Sequence, residues 1–105
     1  MNIQIIGDNY TVSTRTRFLI DTKINLRLEK LLTSVSDDLK IAQLKITKNK
    51  LGIFDVNFDM NLPGKEHIYA ETSHVRLSSA LIDLEQQLEK QIKRYKQTLA
   101  NYSLS

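Results

Sequence analysis

Four cations, Lys90, Lys93, Arg94 and Lys96, close the most amphipathic stretch of the chain, and no acid follows Glu89. They fall within about two helical turns. Grouped, such side chains neutralise the phosphates of a polyanion. The acids of the same stretch, Asp83, Glu85 and Glu89, come first, an order that suits the helix dipole. A second basic run carries Arg15, Arg17, Lys23, Arg27 and Lys30 against Asp21 and Glu29. From Ile53 to Glu71 the balance reverses, with Asp55, Asp59, Glu66 and Glu71 against Lys65. If the two basic segments lie side by side, Lys23, Arg27 and Lys30 merge with Lys90, Lys93, Arg94 and Lys96 into one positive surface without counter-ions. Lys45, Lys48 and Lys50 are secondary candidates. Arg15 and Lys40, taken singly, read as solubility residues.

Other constellations point nowhere in particular. His67 and His74 flank one short strand pattern with no partner at ligand spacing, and both read as surface histidines. The row Asp55, Asn57, Asp59, Asn61 is rich in oxygen, but a strand spreads such residues along a line, and the calcium-loop spacing is absent. It reads as a solvated sheet face, with Lys45 on the neighbouring strand available for cross-strand pairing. Glu29 and Glu89 sit beside Lys30 and Lys90 and read as structural. The three glycines are isolated turn residues and form no phosphate loop; no serine sits in a nucleophile elbow and no carboxylates are paired for acid–base work. With no cysteine, disulfides, zinc thiolates and thiol nucleophiles are excluded. The expectation is a protein that is not an enzyme and needs no metal or cofactor. Scattered tyrosines (Tyr10, Tyr69, Tyr95, Tyr102) offer few base-stacking platforms, so the surface would read phosphate and shape more than base sequence.

The elements that must position these cations follow from periodicity. With 105 residues, 41% hydrophobic and 26% charged, the chain is expected to form one domain with a single core, residues 1–105, its core about 1–97 and a short tail 98–105. Ile3, Ile5 and Ile6 before Gly7-Asp8-Asn9 predict a strand and turn. Ser13 or Thr14 caps a helix to about Thr33, its buried stripe Ile20, Ile24, Leu28, Leu31, Leu32 and Val35, with Leu19 and Leu26 a quarter turn off it. A loop at Ser36-Asp37-Asp38 leads to three strands: Leu39–Lys48; Phe54–Leu62, with apolar and polar residues in strict alternation; and a short His67–Glu71. Turns fall at 49–52 and at Leu62-Pro63-Gly64-Lys65. Ser78–Tyr102 is a long helix with Leu81, Leu84, Leu88, Ile92 (or Gln91), Tyr95, Leu99 and Tyr102 on one face. The order is β-α-β-β-β-α, an α+β fold whose alternating strands demand both helices on one sheet face. No apolar run is long enough to cross a membrane and the N-terminus does not resemble a signal peptide, so a cytoplasmic protein is expected.

Two segments of the sequence carry a family resemblance. Leu88–Lys96, LEKQIKRYK, resembles the C-terminal helix of the ribosome hibernation-promoting factors, also called ribosome-associated inhibitor A or sigma-54 modulation proteins, in the short form. Met1–Asn9 resembles that family's opening strand and turn, and Ile68-Tyr69-Ala70-Glu71 its last strand. The resemblance implies a four-stranded sheet with two helices on one face, similar to a double-stranded RNA-binding domain. It implies a factor that binds rRNA of the small ribosomal subunit near the decoding region, excludes tRNA and mRNA, and inhibits translation in stress or stationary phase. The short, tailless form implies a monomer off the ribosome, with ribosome modulation factor as a partner in ribosome dimers. The family's basic helix residues match Lys90, Lys93, Arg94 and Lys96. Lys23 matches a family lysine only if one residue is inserted before Leu28; otherwise Ile24 takes the position. Ile82 and Ser78 depart from common family residues. Two other readings stay open: a double-stranded RNA-binding module with no ribosomal role, and an interaction module dimerising through Leu84, Leu88, Gln91, Tyr95, Leu99 and Tyr102.

Overall fold

The computed structural model describes residues 2–33, 35, 40–64 and 66–104, with side chains through Thr98. Its elements run β1 (Asn2–Asp8), α1 (Thr14–Ile20), a π-helical turn (Asp21–Asn25), α2 (Leu26–Leu31), β2 (Ile41–Lys48), β3 (Phe54–Leu62), β4 (Glu66–His74) and α3 (Leu77–Leu104). The strands form one sheet in the order β1-β2-β3-β4, with β1 parallel to β2 and the other neighbours antiparallel. The first helix is the crossover that a parallel β1–β2 pair requires. The expected α+β order is therefore found.

One register places the core. Ala42, Leu44 and Ile46 of β2 stand beside Met60, Phe58 and Val56 of β3, and these beside Ile68, Ala70 and Thr72 of β4. All nine are buried, while Gln43, Asp59, Tyr69 and Glu71 on alternate positions are exposed. The eight apolar members of this row form one cluster with Ile20, Ile24, Leu28 and Leu32 of the first helix and Leu81, Leu84, Leu88, Ile92 and Tyr95 of α3. Both helices thus cover the same face, and Ile92 rather than Gln91 is the buried choice. Of the seam in the alternative dimerising reading, Leu84, Leu88 and Tyr95 are spent on this core, and the Tyr95 hydroxyl donates to the Pro63 carbonyl at 3.1 Å. Leu99 and Tyr102 lie outside the described side chains.

The four buried residues of the first helix recur every fourth position, which on an α-helix drifts by about 40° per step. The π turn absorbs the drift: Leu26 N–H donates to the Asp21 carbonyl five residues back. Thr22 Oγ1 assists by donating to the Phe18 carbonyl at 2.9 Å, competing with the backbone ladder where it widens. Leu31 and Val35, expected in the stripe, are only half-buried, and Leu26 is 51% exposed. Ser13 caps the helix, its Oγ accepting from Thr16 N–H at 3.1 Å. Gly7 is the penultimate residue of β1, where a Cβ would lie 2.1 Å from the Tyr10 carbonyl oxygen, so no other residue fits without moving the turn.

Several boundaries differ from expectation, among them the end of the first helix at Leu31, the start of β4 at Glu66 and the end of α3 at Leu104. β4 continues to His74, because Thr72 packs inward and donates to the Ala80 carbonyl at 3.0 Å; three polar residues in a row disguise this end as loop. α3 begins at Leu77 rather than Ser78. β2 begins at Ile41, and the loop read at 36–38, like Leu39, lies outside the described residues.

The free edge of β4 is closed by α3. Gln91 Nε2 donates to the Tyr69 carbonyl at 2.6 Å while its Oε1 accepts from Tyr69 N–H at 3.1 Å, and Gln87 Nε2 reaches the Glu71 carbonyl at 3.3 Å. An edge strand that presents unsatisfied backbone groups invites pairing with other chains, and these amides remove the invitation.

Lys40 corrects the reading of that residue as a solubility lysine. It is 2% exposed, its ammonium 3.2 Å from Glu29 Oε2 and 3.4 Å from the Leu32 carbonyl, joining the end of the first helix to β2. Lys40→Met keeps the aliphatic stem and removes the charge. Its expected cost is about 1–3 kcal/mol, read as a lower urea midpoint at unchanged slope. An unchanged midpoint would show that the buried ammonium does no more than fill space.

Candidate nucleic-acid interface

The crossover helix and α3 lie side by side on the sheet, with the bases of both on their solvent sides. Between them runs a groove of about 510 Å³ lined by Thr22, Lys23, Arg27, Ile82, Glu85, Gln86 and Glu89. Lys23 sits inside the π turn and Arg27 one turn on. On α3, a step of about 100° per residue distributes the bases around the cylinder. Lys93 extends the Glu85–Glu89 row beside the first helix, and Lys90 faces outward. Arg94, adjacent in sequence to Lys93, falls on the opposite flank, in a recess with Glu66, His67, Gln91 and Thr98 beside the β4 edge. The four α3 cations therefore do not share one face.

The expectation of a surface free of counter-ions also needs correction. Arg27 Nε lies 3.3 Å from Glu85 Oε1, and its terminal nitrogen 2.7 Å from Glu89 Oε1. The same Glu89 oxygen is 3.1 Å from Lys93 Nζ, four residues along the helix. Hydrogen bonding to Glu89 raises the Arg27 pKa, and the bonds from Arg27 and Lys93 hold the Glu89 carboxyl below its ordinary range. Burial, with the neighbouring Glu89 charge, pushes Glu85 up. Glu89 does act structurally, as its position beside Lys90 suggested, but its partners are Arg27 and Lys93. Glu29, read beside Lys30, pairs with Lys40.

What remains is a smaller set. Among the described residues Lys23, Lys30, Lys90, Arg94 and Lys96 are exposed and make no ion pair; the first three lie on the first helix and the outer face of α3. The secondary candidates are dispersed. Lys45 stands on the open face of the sheet, away from the helices, 3.9 Å from Asp8 of β1 rather than paired to the acidic row of β3. Lys48 covers the Phe54 ring at 5.4 Å, and Lys50 is exposed in the hairpin. The structure does not join these three to the helical group.

Of the aromatics, Tyr95 is buried, Tyr10 bonds Thr16 and meets Phe54 edge-on, and Tyr69 lies on the open sheet face beside Glu71. The aromatic on the helical side that a sequence reading overlooks is Phe18, 65% exposed on α1, disguised by its apolar neighbours Leu19 and Ile20. Glu85 and Glu89 are likewise overlooked as partners of Arg27, because the 62-residue separation of Arg27 from Glu89 leaves no local signal. His67 pairs with Asp59 and His74 with Asp83, the latter at 2.5 Å. Among the described residues no group of three or more His, Cys, Asp or Glu is placed to hold a metal ion.

The sequence profile of the family described as Sigma 54 modulation protein / S30EA ribosomal protein matches residues 3–100. Solved structures share the fold, among them these two. The Protein Y N-terminal domain of Thermus thermophilus superposes with a TM-score of 0.76 at 24% identity, over 90% of this chain and 99% of that one. A ribosomal subunit interface protein from Coxiella burnetii gives 0.68 at 25% identity, over 91% and 98%. No curated protein sequence matches the chain significantly.

Proposed function

Because the chain belongs to the Sigma 54 modulation protein / S30EA ribosomal protein family, which associates with the ribosome, we propose that it is a hibernation factor that docks on rRNA of the small subunit near the decoding region. The observation that carries the reading is the set of exposed, ion-pair-free Lys23, Lys30 and Lys90 on the helical side of a family fold. Such a factor works by occupancy. A rigid wedge whose cations neutralise rRNA phosphates fills the space that tRNA and mRNA need, and inhibition requires neither a cofactor nor a bond-breaking step. The opposite face, bearing Asp8, Asp55, Asp59 and Glu71, disfavours phosphate, so the electrostatics impose one orientation of docking. Arg27 and Lys93 stand on the same surface and contribute as RNA displaces Glu85 and Glu89, while Lys96 and Arg94 lie at its margins. The protein is placed in the cytoplasm, where ribosomes are.

Sedimentation through a sucrose gradient tests this. The protein is expected to travel with purified small subunits at about 0.1 M salt and to leave them as salt rises, log K falling by roughly 0.7–0.9 per phosphate contact for each tenfold increase. Naked duplex RNA in parallel separates a ribosomal factor from a general duplex-binding module. Equal affinity for both would favour the module, and no association with subunits at low salt would end the proposal. A shifted dimer peak in the same gradient would show ribosome pairing.

A further inference from the structure

We propose that Glu85 and Glu89 set the affinity of this surface for RNA by serving as internal counter-ions to Arg27 and Lys93, which phosphate must displace. The inference rests on the reading of the helical side as an rRNA surface and goes beyond it by assigning two acids a function there.

Position and stoichiometry carry the argument. Glu89 Oε1 alone serves two cations, the Arg27 terminal nitrogen at 2.7 Å and Lys93 Nζ at 3.1 Å, while Glu85 takes the Arg27 Nε at 3.3 Å. Two bases and two acids thus cancel in the middle of the surface whose margins, Lys23, Lys30 and Lys90, are unopposed. The carboxylates are the better buried members, with side chains 17% and 20% exposed against 49% for Arg27 and 62% for Lys93. An arriving phosphate therefore meets the outer ends of Arg27 and Lys93 first and competes for them with carboxylates that cannot leave. Charge-assisted bonds of this kind are strong enough to withhold much of the gain from two phosphate contacts. A site built this way binds and releases reversibly, which a factor that must be removed when growth resumes requires.

The test is the equilibrium binding of purified small subunits across a salt series. Glu85→Gln with Glu89→Gln keeps hydrogen-bond acceptors of the same shape and removes both charges. It is expected to bind about tenfold tighter at ~0.1 M salt, with a salt slope steeper by about one to two. Asp55→Asn with Asp59→Asn gives the same change in net charge on the open sheet face and is expected to stay within about twofold of the wild type. Arg27→Gln is expected to cost more in the Glu85→Gln/Glu89→Gln background than in the wild type, a coupling that a merely structural pair would not produce. If the double variant folds poorly by circular dichroism, Glu89→Gln alone carries the test, because it removes the one carboxylate that serves both cations, with Arg27 keeping only Glu85. A folded variant that binds no tighter, or a sheet-face control that tightens equally, overturns the inference. A wild-type protein that binds no subunits at any salt removes the functional reading and this inference together, an outcome distinct from wild-type binding with an indifferent variant.

Discussion

Reversing Lys23, Lys30 and Lys90 to glutamate is expected to abolish co-sedimentation with small ribosomal subunits while leaving the fold intact. All three are exposed and, among the described residues, make no ion pair, so each substitution falls in the class that changes stability by no more than about 0.5 kcal/mol. Their effect on binding is of another order. Three phosphate contacts, each contributing a salt exponent of roughly 0.7–0.9, amount to about two decades in Kd at ~0.1 M salt, and the slope itself should fall by two to three. Reversal to glutamate adds repulsion to that loss. Changing Lys93 alone should cost less, because part of its charge is already satisfied by Glu89 at 3.1 Å. If a folded triple variant still pellets with subunits at ~0.1 M salt, the helical side is not the RNA surface.

The fold was largely legible because period-two and period-four patterns report directly on burial. Val56, Phe58, Met60 and Leu62 alternate without interruption, and all four are buried. The legible parts are those in which neighbours in sequence are also neighbours in structure. The misread parts lack that property. Thr72 looks like loop until it is seen donating to the Ala80 carbonyl, a bond that depends on where α3 starts. Lys40 looks like a surface lysine until the first helix delivers Glu29 and the Leu32 carbonyl to it.

The candidate site was legible in its charges but not in their pairing. The segments bearing Lys23, Arg27, Lys30, Lys90, Lys93, Arg94 and Lys96 do lie on one side of the sheet, as the net charge of each segment suggested. Which of those charges stays available is decided by contacts across sequence distances that no local pattern encodes. The quarter-turn offset of Leu19 and Leu26 was itself a signal. A helix whose core residues recur at strict fours must widen somewhere, and the π turn at Asp21–Asn25 is where this one does. That turn also sets Lys23 on the groove with Arg27.

Phe58→Ala is expected to bring the domain close to unfolding, and it tests the scaffold on which every charge above depends. Phe58 is 0% exposed at the middle of β3, opposite Leu44 on one side and Ala70 on the other. Removing a fully buried phenyl ring costs its transfer free energy plus the cavity it leaves, about 3–5 kcal/mol. A domain of this size holds about 5–15 kcal/mol in total. The melting temperature should drop by roughly 15–30 °C, as followed by circular dichroism. Phe18→Ala is the matched control: the same deletion at a residue 65% exposed should leave the melting temperature almost unchanged. Binding supplies a second readout that separates scaffold from surface. At low temperature, where the Phe58→Ala chain is still folded, it should bind small subunits with near wild-type affinity, because none of its cations has moved. On warming, binding should be lost along with the circular dichroism signal. A Phe58→Ala protein that melts within a few degrees of the wild type would mean that the helices do not cover this face of the sheet, and the side-by-side placement of Lys23 and Lys90 would fall with it.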